Sequence, residues 1–195
     1  VPENGNPSSA AAPADRIETQ KRPLASTKPF AEDSLYQILV ADVALTRGQF
    51  KTALDNYLVQ ARKTRDADII RLTNSIATHQ GDAVAILESA QLWVEVEPKQ
   101  AAAHRAALQA YALHKRPFEA LEQASWLYRN ENDVEAFLAV TAIDEDNKQA
   151  LIPRLIEAYR AIPLEPDQQA TAELAVAILF RELDDLDSAV ATSQH

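Results

Sequence analysis

The residues best suited to chemistry are four histidines, His79, His104, His114 and His195. Zinc sites place histidines at i and i+4 on one helix face, as in HExxH, or combine them with cysteines. Here His104 and His114 stand ten residues apart and no HExxH occurs. The chain has no Cys, which removes thiolate metal sites, disulfides and cysteine nucleophiles. The histidines are therefore read as isolated surface or groove residues. Two acidic runs, Asp144-Glu145-Asp146-Asn147 and Asp184-Asp185-Leu186-Asp187, invite a calcium reading. An EF-hand loop needs a central Gly and a distal bidentate Glu, and neither run has the Gly. The first run reads as a loop in which Asp146 or Asn147 caps a following helix. The second reads as a turn between paired helices.

Glu95 and Glu97 flank Val96 beside Trp93. On a helix, a spacing of two sends side chains to different sides, so these do not form the converging carboxylate pair of glycoside hydrolysis and read as surface charge. No GxSxG, Ser-x-x-Lys or Gly-rich phosphate loop is present. His114-Lys115-Arg116 reads as a short solvated basic turn. No catalytic residue, no metal site and no cofactor is assigned, and the expectation is a chain that is not an enzyme.

The elements that carry these residues are predicted to be helices. Hydrophobic residues make up 47% of the 195, Ala abounds, and there are only 3 Gly. Strong helix formers with few turn glycines and no period-two alternation point to an all-α fold. No apolar run approaches the ~20 residues needed to span a bilayer. There is no Met, even at position 1, so the chain reads as a processed or trimmed piece.

Charge is distributed unevenly. Residues 1–32 carry four acids and four bases, and residues 33–130 eleven of each. Residues 131–195 carry fourteen acids and four bases, which is the whole net charge of −10. A nucleic-acid binder needs a basic face, and none is visible, so no nucleic-acid partner is expected. The acidic third reads as a solvated helix surface or as a docking face for a basic partner.

Residues 1–32 read as a flexible linker. Pro2, Pro7, Pro13, Pro23 and Pro29 break every helix there, and large apolar residues are sparse. The folded boundary is placed near Phe30–Asp33, with Phe30 expected to pack back on the first helix. Residues 33–195 form the folded domain.

A repeat runs through that domain. Ala53, Ile86 and Ala120 align at steps of 33 and 34, and Gly48 and Gly81 fall in step at 33. Arg65, Pro98, Asn132 and Pro166 form a second series. A period of about 34 is that of the tetratricopeptide, two antiparallel helices per unit stacked into a superhelical solenoid. Small residues are needed where helices cross closely: Ala41, Ala53, Ala120 and Ala124. Gly48 suits a helix C′ position with positive φ. The predicted helices span 33–47, 50–63, 67–80, 83–95, 99–114, 117–130, 133–143, 147–161, 167–183 and 186–194. That is four helix pairs and a partial fifth. A solenoid needs a polar capping element, and none is visible at Gln194-His195, so the fold is expected to be truncated at its C-terminus and the natural protein to continue.

The segment Pro29-Phe30-Ala31-Glu32-Asp33-Ser34-Leu35-Tyr36-Gln37-Ile38-Leu39-Val40-Ala41-Asp42 is distinctive. So are Ala53-Leu54-Asp55-Asn56-Tyr57-Leu58, Gln60-Ala61, Thr64-Arg65-Asp66 and Gln91-Leu92-Trp93-Val94. Over residues 29–130 these blocks resemble the N-terminal part of tetratricopeptide outer-membrane lipoproteins of pseudomonads and related proteobacteria. The resemblance implies a lipid-anchored protein on the periplasmic face of the outer membrane. It implies an adaptor that recruits or activates a carboxyl-terminal processing protease for degradation of cell-wall hydrolases. It would also make residues 1–32 the tether after a lipidated Cys, although no Cys stands in this sequence.

In such a stack the first helix of each pair lines the groove. The register places Asp42 and Thr46 there from unit one, Arg71, Ser75 and His79 from unit two, and Arg105 and Gln109 from unit three. With Leu45 and Leu113 among them, they suit an extended peptide. The leading expectation is a protein-binding scaffold. The alternatives are a lipoprotein activator of a peptidoglycan synthase or a general envelope assembly scaffold.

Overall fold

The computed structural model describes residues 32–142, 148–184 and 192. Among these residues the chain is all-helical. The order is α1 (Glu32–Thr46), α2 (Phe50–Thr64), α3 (Ala67–Gln80), α4 (Ala83–Val96), α5 (Ala101–Leu113), α6 (Pro117–Glu131), α7 (Val134–Ala139), α8 (Lys148–Arg160) and α9 (Gln169–Glu182). Most helices pack chiefly on their neighbours in sequence, while α8 packs on α9 and reaches back to α6, and α2 likewise touches α4 across units. The result is a tetratricopeptide-type solenoid of antiparallel pairs. The helix expected at 186–194, apart from Thr192, lies outside the described residues, as do Phe30 and the Asp144–Asn147 run.

The turns mark the repeat. Left-handed backbone recurs after the first helix of a pair at Gly48 (φ 71°), Gly81 (φ 67°), Lys115 (φ 55°) and Asp184 (φ 60°). It recurs after the second helix at Arg65 and Asn132, both φ 53°. After Arg65, Gly81 and Asn132 an aspartate starts the next helix, whereas Gln49 and Arg116 follow Gly48 and Lys115 without a side-chain cap. The Asp66 carboxylate accepts from Asp68 N–H at 3.0 Å and Ile69 N–H at 3.1 Å. The Asp82 carboxylate accepts from Ala85 N–H at 3.0 Å. Each such cap satisfies amide donors that the first helical turn leaves open.

Packing follows the small residues. Ala41, Ala53, Ala61, Ala77, Ala90, Ala103, Ala110 and Ala124 are wholly buried, so helix axes approach closely at these points. Larger residues fill the space between crossings, led by Tyr57, Ile70, Leu127 and Tyr128. The core falls into two main clusters, one within α1–α4 and one running from α5 to α9. A small alanine seam of Ala90, Ala107 and Ala110 joins them between α4 and α5.

Unit four departs from expectation. Its first helix was expected over 133–143 but α7 ends at Ala139. The β-branched Val140 and Thr141 follow, which are poor helix formers. Thr141 N–H and its hydroxyl both donate to the Leu138 carbonyl, at 3.0 and 2.8 Å, closing the helix there. An aromatic ladder holds the short helix in place. Phe137 stacks on Tyr128 at 4.5 Å and meets Tyr159 edge-on at 5.1 Å. The buried Tyr159 hydroxyl donates to the Phe137 carbonyl at 2.7 Å. Pro153 sits inside α8 at an exposed position, where its missing N–H leaves one helix hydrogen bond unmade.

Two substitutions test this account by chemical denaturation. Ala53→Leu forces extra volume into a close helix crossing and is expected to cost about 1–3 kcal/mol. Asn132→Gly removes a side chain from exposed left-handed backbone (φ 53°) at the end of α6 and is expected to change stability by about 0.5 kcal/mol or less in the stabilising direction.

Candidate functional site

The first helices of units three and four border a cleft of about 520 Å³. Its floor is apolar: Leu108, Ala112, Ala120, Ala136, Ala139, Val140 and Leu151. Four of these are alanines, and α7 is short, so the groove has room here that larger side chains would close. The rim is polar, with Arg105, Gln109, Lys115, Arg116, Asp133 and Glu135. The volume lies in the range of sites that take a small ligand or a large side chain.

Asp133 organises the rim. It is the N-cap of α7, with Oδ1 accepting from Ala136 N–H at 3.0 Å. Its Oδ2 accepts from Arg105 Nε and Nη2, at 3.1 and 3.0 Å. One carboxylate thus starts the helix that forms one wall and fixes the arginine of the other. The amide hydrogen bond, aided by Arg105, holds the Asp133 carboxyl below its ordinary range. Arg116 donates from Nε and Nη2 to Glu119 at 2.8 and 2.5 Å. Its guanidinium also lies over the Tyr111 ring at 5.1 Å. The basic turn is therefore not simply solvated, as the sequence implied. Lys115 is exposed on its left-handed backbone, Arg116 is half-buried, and His114 Nε2 lies 2.8 Å from the Ala83 carbonyl of α4.

The structure brings together two of the seven groove residues expected from sequence, Arg105 and Gln109, in this cleft. The other five sit upstream on α1 and α3. Asp42 is exposed on α1 and accepts a hydrogen bond from the Tyr57 hydroxyl of α2. Burial and this carboxylate push the Tyr57 phenol well above its usual range, so it stays a donor. The Thr46 hydroxyl donates to the Val43 carbonyl of its own helix at 2.9 Å. Arg71 pairs with Asp68 and, at 3.5 Å, with Glu97, which caps the end of α4. Ser75 is exposed on α3. His79 is exposed and meets the Phe50 ring edge-on at 5.8 Å. The seven do share a register, since Asp42, Ser75 and Gln109 fall at steps of 33 and 34.

Two sequence readings need correction. His104 is not a surface or groove residue: it is 5% exposed and stacks on Trp126 at 3.8 Å. Its ring nitrogens lie 2.7 Å from the Gln123 side-chain amide and 3.0 Å from the Pro98 carbonyl, fastening α5 to α6 and to the preceding turn. Glu95 and Glu97 are more than surface charge. Arg65 pairs with Glu95, while Glu97 accepts from Trp93 Nε1 at 2.8 Å and pairs with Arg71. Among the described residues no group of three His, Asp or Glu side chains is placed to hold a metal, and no helix is long and apolar enough to cross a membrane. Asp133 went unnoticed in the sequence. The signal for it is the pair Asn132-Asp133 in step with Arg65-Asp66.

Comparison with known proteins agrees with this architecture. No protein-family model matches the chain. A TPR repeat-containing protein of Pseudomonas aeruginosa is 35% identical over 131 residues, 67% of this chain. The match spans 22% of that relative's length. The crystal structure of the MamA protein aligns with a TM-score of 0.50 at 15% identity, covering 85% of this chain and 90% of that one. That likeness is one of fold alone.

The rim yields a test that separates capping from charge. Asp133→Ala removes both roles and is expected to cost about 1 kcal/mol. Asp133→Asn keeps a capping oxygen but loses the ion pair, and is expected to cost about 0.5 kcal/mol or less. The folded-state pKa lies below the unfolded value near ~3.9. The carboxylate's contribution is therefore complete above that pH and disappears as pH falls through the folded value. Urea titrations from neutral to acid pH should show a shallower acid loss in Asp133→Asn than in the parent.

Proposed function

We propose that this chain, a tetratricopeptide-repeat solenoid, is a protein-binding scaffold that seats a partner's side chain in the cleft between α5 and α7. The observation that carries the reading is the alanine-floored cavity under a fixed polar rim. Apolar depth accepts a large side chain, and Gln109 with the Arg105–Asp133 pair offers hydrogen bonds to the peptide that carries it. Arg105 is engaged by Asp133, and Arg116 by Glu119. That favours a docking seat over a reaction centre, and the proposal is binding without turnover. The remaining expected groove residues, Asp42, Thr46, Arg71, Ser75 and His79, would extend the contact along the first helices.

In its finer form the proposal follows the sequence resemblance. The partner is a periplasmic carboxyl-terminal processing protease, together with its cell-wall hydrolase substrates. The location is the periplasmic face of the outer membrane, reached through an N-terminal lipid anchor. The TPR repeat-containing relative supports the scaffold reading, and the partner and location rest on the resemblance alone.

Ala139 lines the cleft and is exposed, so Ala139→Trp fills the seat without entering the core. In a pull-down from envelope extract, the parent is expected to retain a processing protease. Ala139→Trp should reduce that retention about tenfold, a loss of roughly 1.4 kcal/mol, with an unchanged melting temperature. Recovery of a peptidoglycan synthase in place of the protease would overturn the finer form and leave the scaffold. Equal retention by parent and Ala139→Trp would overturn the cleft as the seat.

A further inference from the structure

The end of the stack that begins with α1 carries an apolar face that no other described residue covers. Leu35, Tyr36, Leu39 and Val43 are 51, 65, 53 and 47% exposed. They lie opposite the side that packs on α2, where Ser34, Ala41 and Ala44 are buried. The hydrophobic residues of α1 thus run around the helix, a pattern proper to a helix covered on more than one side.

The repeat register shows what normally covers this face. Tyr36 corresponds to Ile69 in α3 and Ala103 in α5, and Val43 to Ile76 and Ala110, by the shifts of 33 and 67 that relate Gly48 to Gly81 and Lys115. Ile69 and Ile76 are 8 and 6% exposed, and Ala103 and Ala110 are wholly buried. All three helices have a second helix of their own. What α3 and α5 have in addition is the second helix of the preceding unit, α2 or α4, packed against them. The Tyr36 and Val43 side of α1 therefore has the form of a helix seat. The apolar face is also wider than the repeat requires: Leu35 stands where α3 has the exposed Asp68 and α5 the exposed Ala102, and Leu39 stands where α3 has Leu72, 38% exposed, and α5 has the half-buried Ala106.

Apart from Phe30, expected to pack on the first turn of α1, the sequence just before α1 is poorly made to fill that seat. Its longest stretch without proline, residues 14–22, has Ile17 as the one large apolar residue. A second α1 fills it well. In an antiparallel pair centred on Leu39, Leu39 meets Leu39 of the second copy and Leu35 meets Val43. The acidic first turn, Glu32 and Asp33, then lies beside Arg47 at the other copy's helix end. Antiparallel helix dipoles add to this complementarity, whereas a parallel pair would set like charges together. Contact along one helix is small, below the ~1,200 Å² of standard interfaces, so exchange between monomer and dimer is expected.

We propose that the chain self-associates through a two-fold antiparallel pairing of α1, with Leu35, Tyr36, Leu39 and Val43 as its apolar centre. The proposal is independent of the cleft. Sedimentation velocity on the full chain between about 1 and 300 μM tests it, with an expected Kd on the order of 10–100 μM. Leu39→Glu places a charge at the two-fold axis and should raise Kd at least tenfold, with unchanged helix content and melting temperature. Arg47→Glu should weaken the dimer, and Glu32→Lys combined with Arg47→Glu should restore it, because each copy then carries the swapped pair. A chain that stays monomeric throughout the range overturns the proposal. So does a dimer that Leu39→Glu leaves unchanged, or one that the charge swap fails to rescue.

Discussion

Each helix in this chain depends on being covered by its neighbours in sequence. Among the described residues the longest helices have 15 residues, a length at which isolated helices are marginal in water. Their stability must come from faces buried against adjoining helices, and that requirement sets most of the sequence. Where two axes cross closely, the chain uses alanine: Ala41, Ala53, Ala90, Ala107, Ala110 and Ala124 are buried to 1% exposure or less. Where the axes diverge, tyrosine and leucine fill the gap. A stack built this way is nearly one-dimensional, its stability a sum of units and the joints between them. The division of the core into an α1–α4 cluster and an α5–α9 cluster, joined by an alanine seam, is that arithmetic made visible.

The same constraint explains where the molecule has surface to offer. A groove residue is free to be polar because the first helices do not cover one another on that side. Even so, most polar groove side chains are drawn into the scaffold. Tyr57 engages Asp42, Glu97 and Asp68 engage Arg71, and Asp133 engages Arg105. These ties between helices leave the cleft beside α7 as the place where the groove has depth as well as polarity.

Much of this was legible in the sequence, and the failures have physical reasons. The period was visible because Gly48 and Gly81 occupy left-handed turns. Asn132 and Asp184 are types that tolerate the same backbone, but Lys115 and Arg65 adopt it with no such signal in their residue type. The starts of both helices in unit two are written in the sequence as Asp66 and Asp82, whose side chains cap α3 and α4. The early end of α7 depends on Val140 and Thr141, whose weak helix propensity is reinforced by the Thr141 N–H and hydroxyl both closing on the Leu138 carbonyl. The groove register was readable from spacing, but the cleft was not. It arises from what is absent, the bulk that Ala112, Ala120, Ala136 and Ala139 lack. His104 was misjudged because periodicity cannot show that Trp126 and Gln123 of the next helix enclose it.

The cleft and the aromatic ladder are one structure seen from two sides. A six-residue helix has no stability of its own, so the wall that α7 contributes exists because Phe137 is clamped between Tyr128 and Tyr159. Burial pushes the Tyr159 phenol above its ordinary range, which keeps the hydroxyl a donor to the Phe137 carbonyl. The Tyr128 hydroxyl in turn donates to the Gln168 carbonyl at 3.1 Å, so the clamp is anchored at the start of α9. Rigidity at the groove surface thus comes from side chains behind it, on α6 and α8. A partner seated on the floor would press on α7, and α7 gives way only if the tyrosine clamp opens. The strength of the seat is set by residues that the partner never touches.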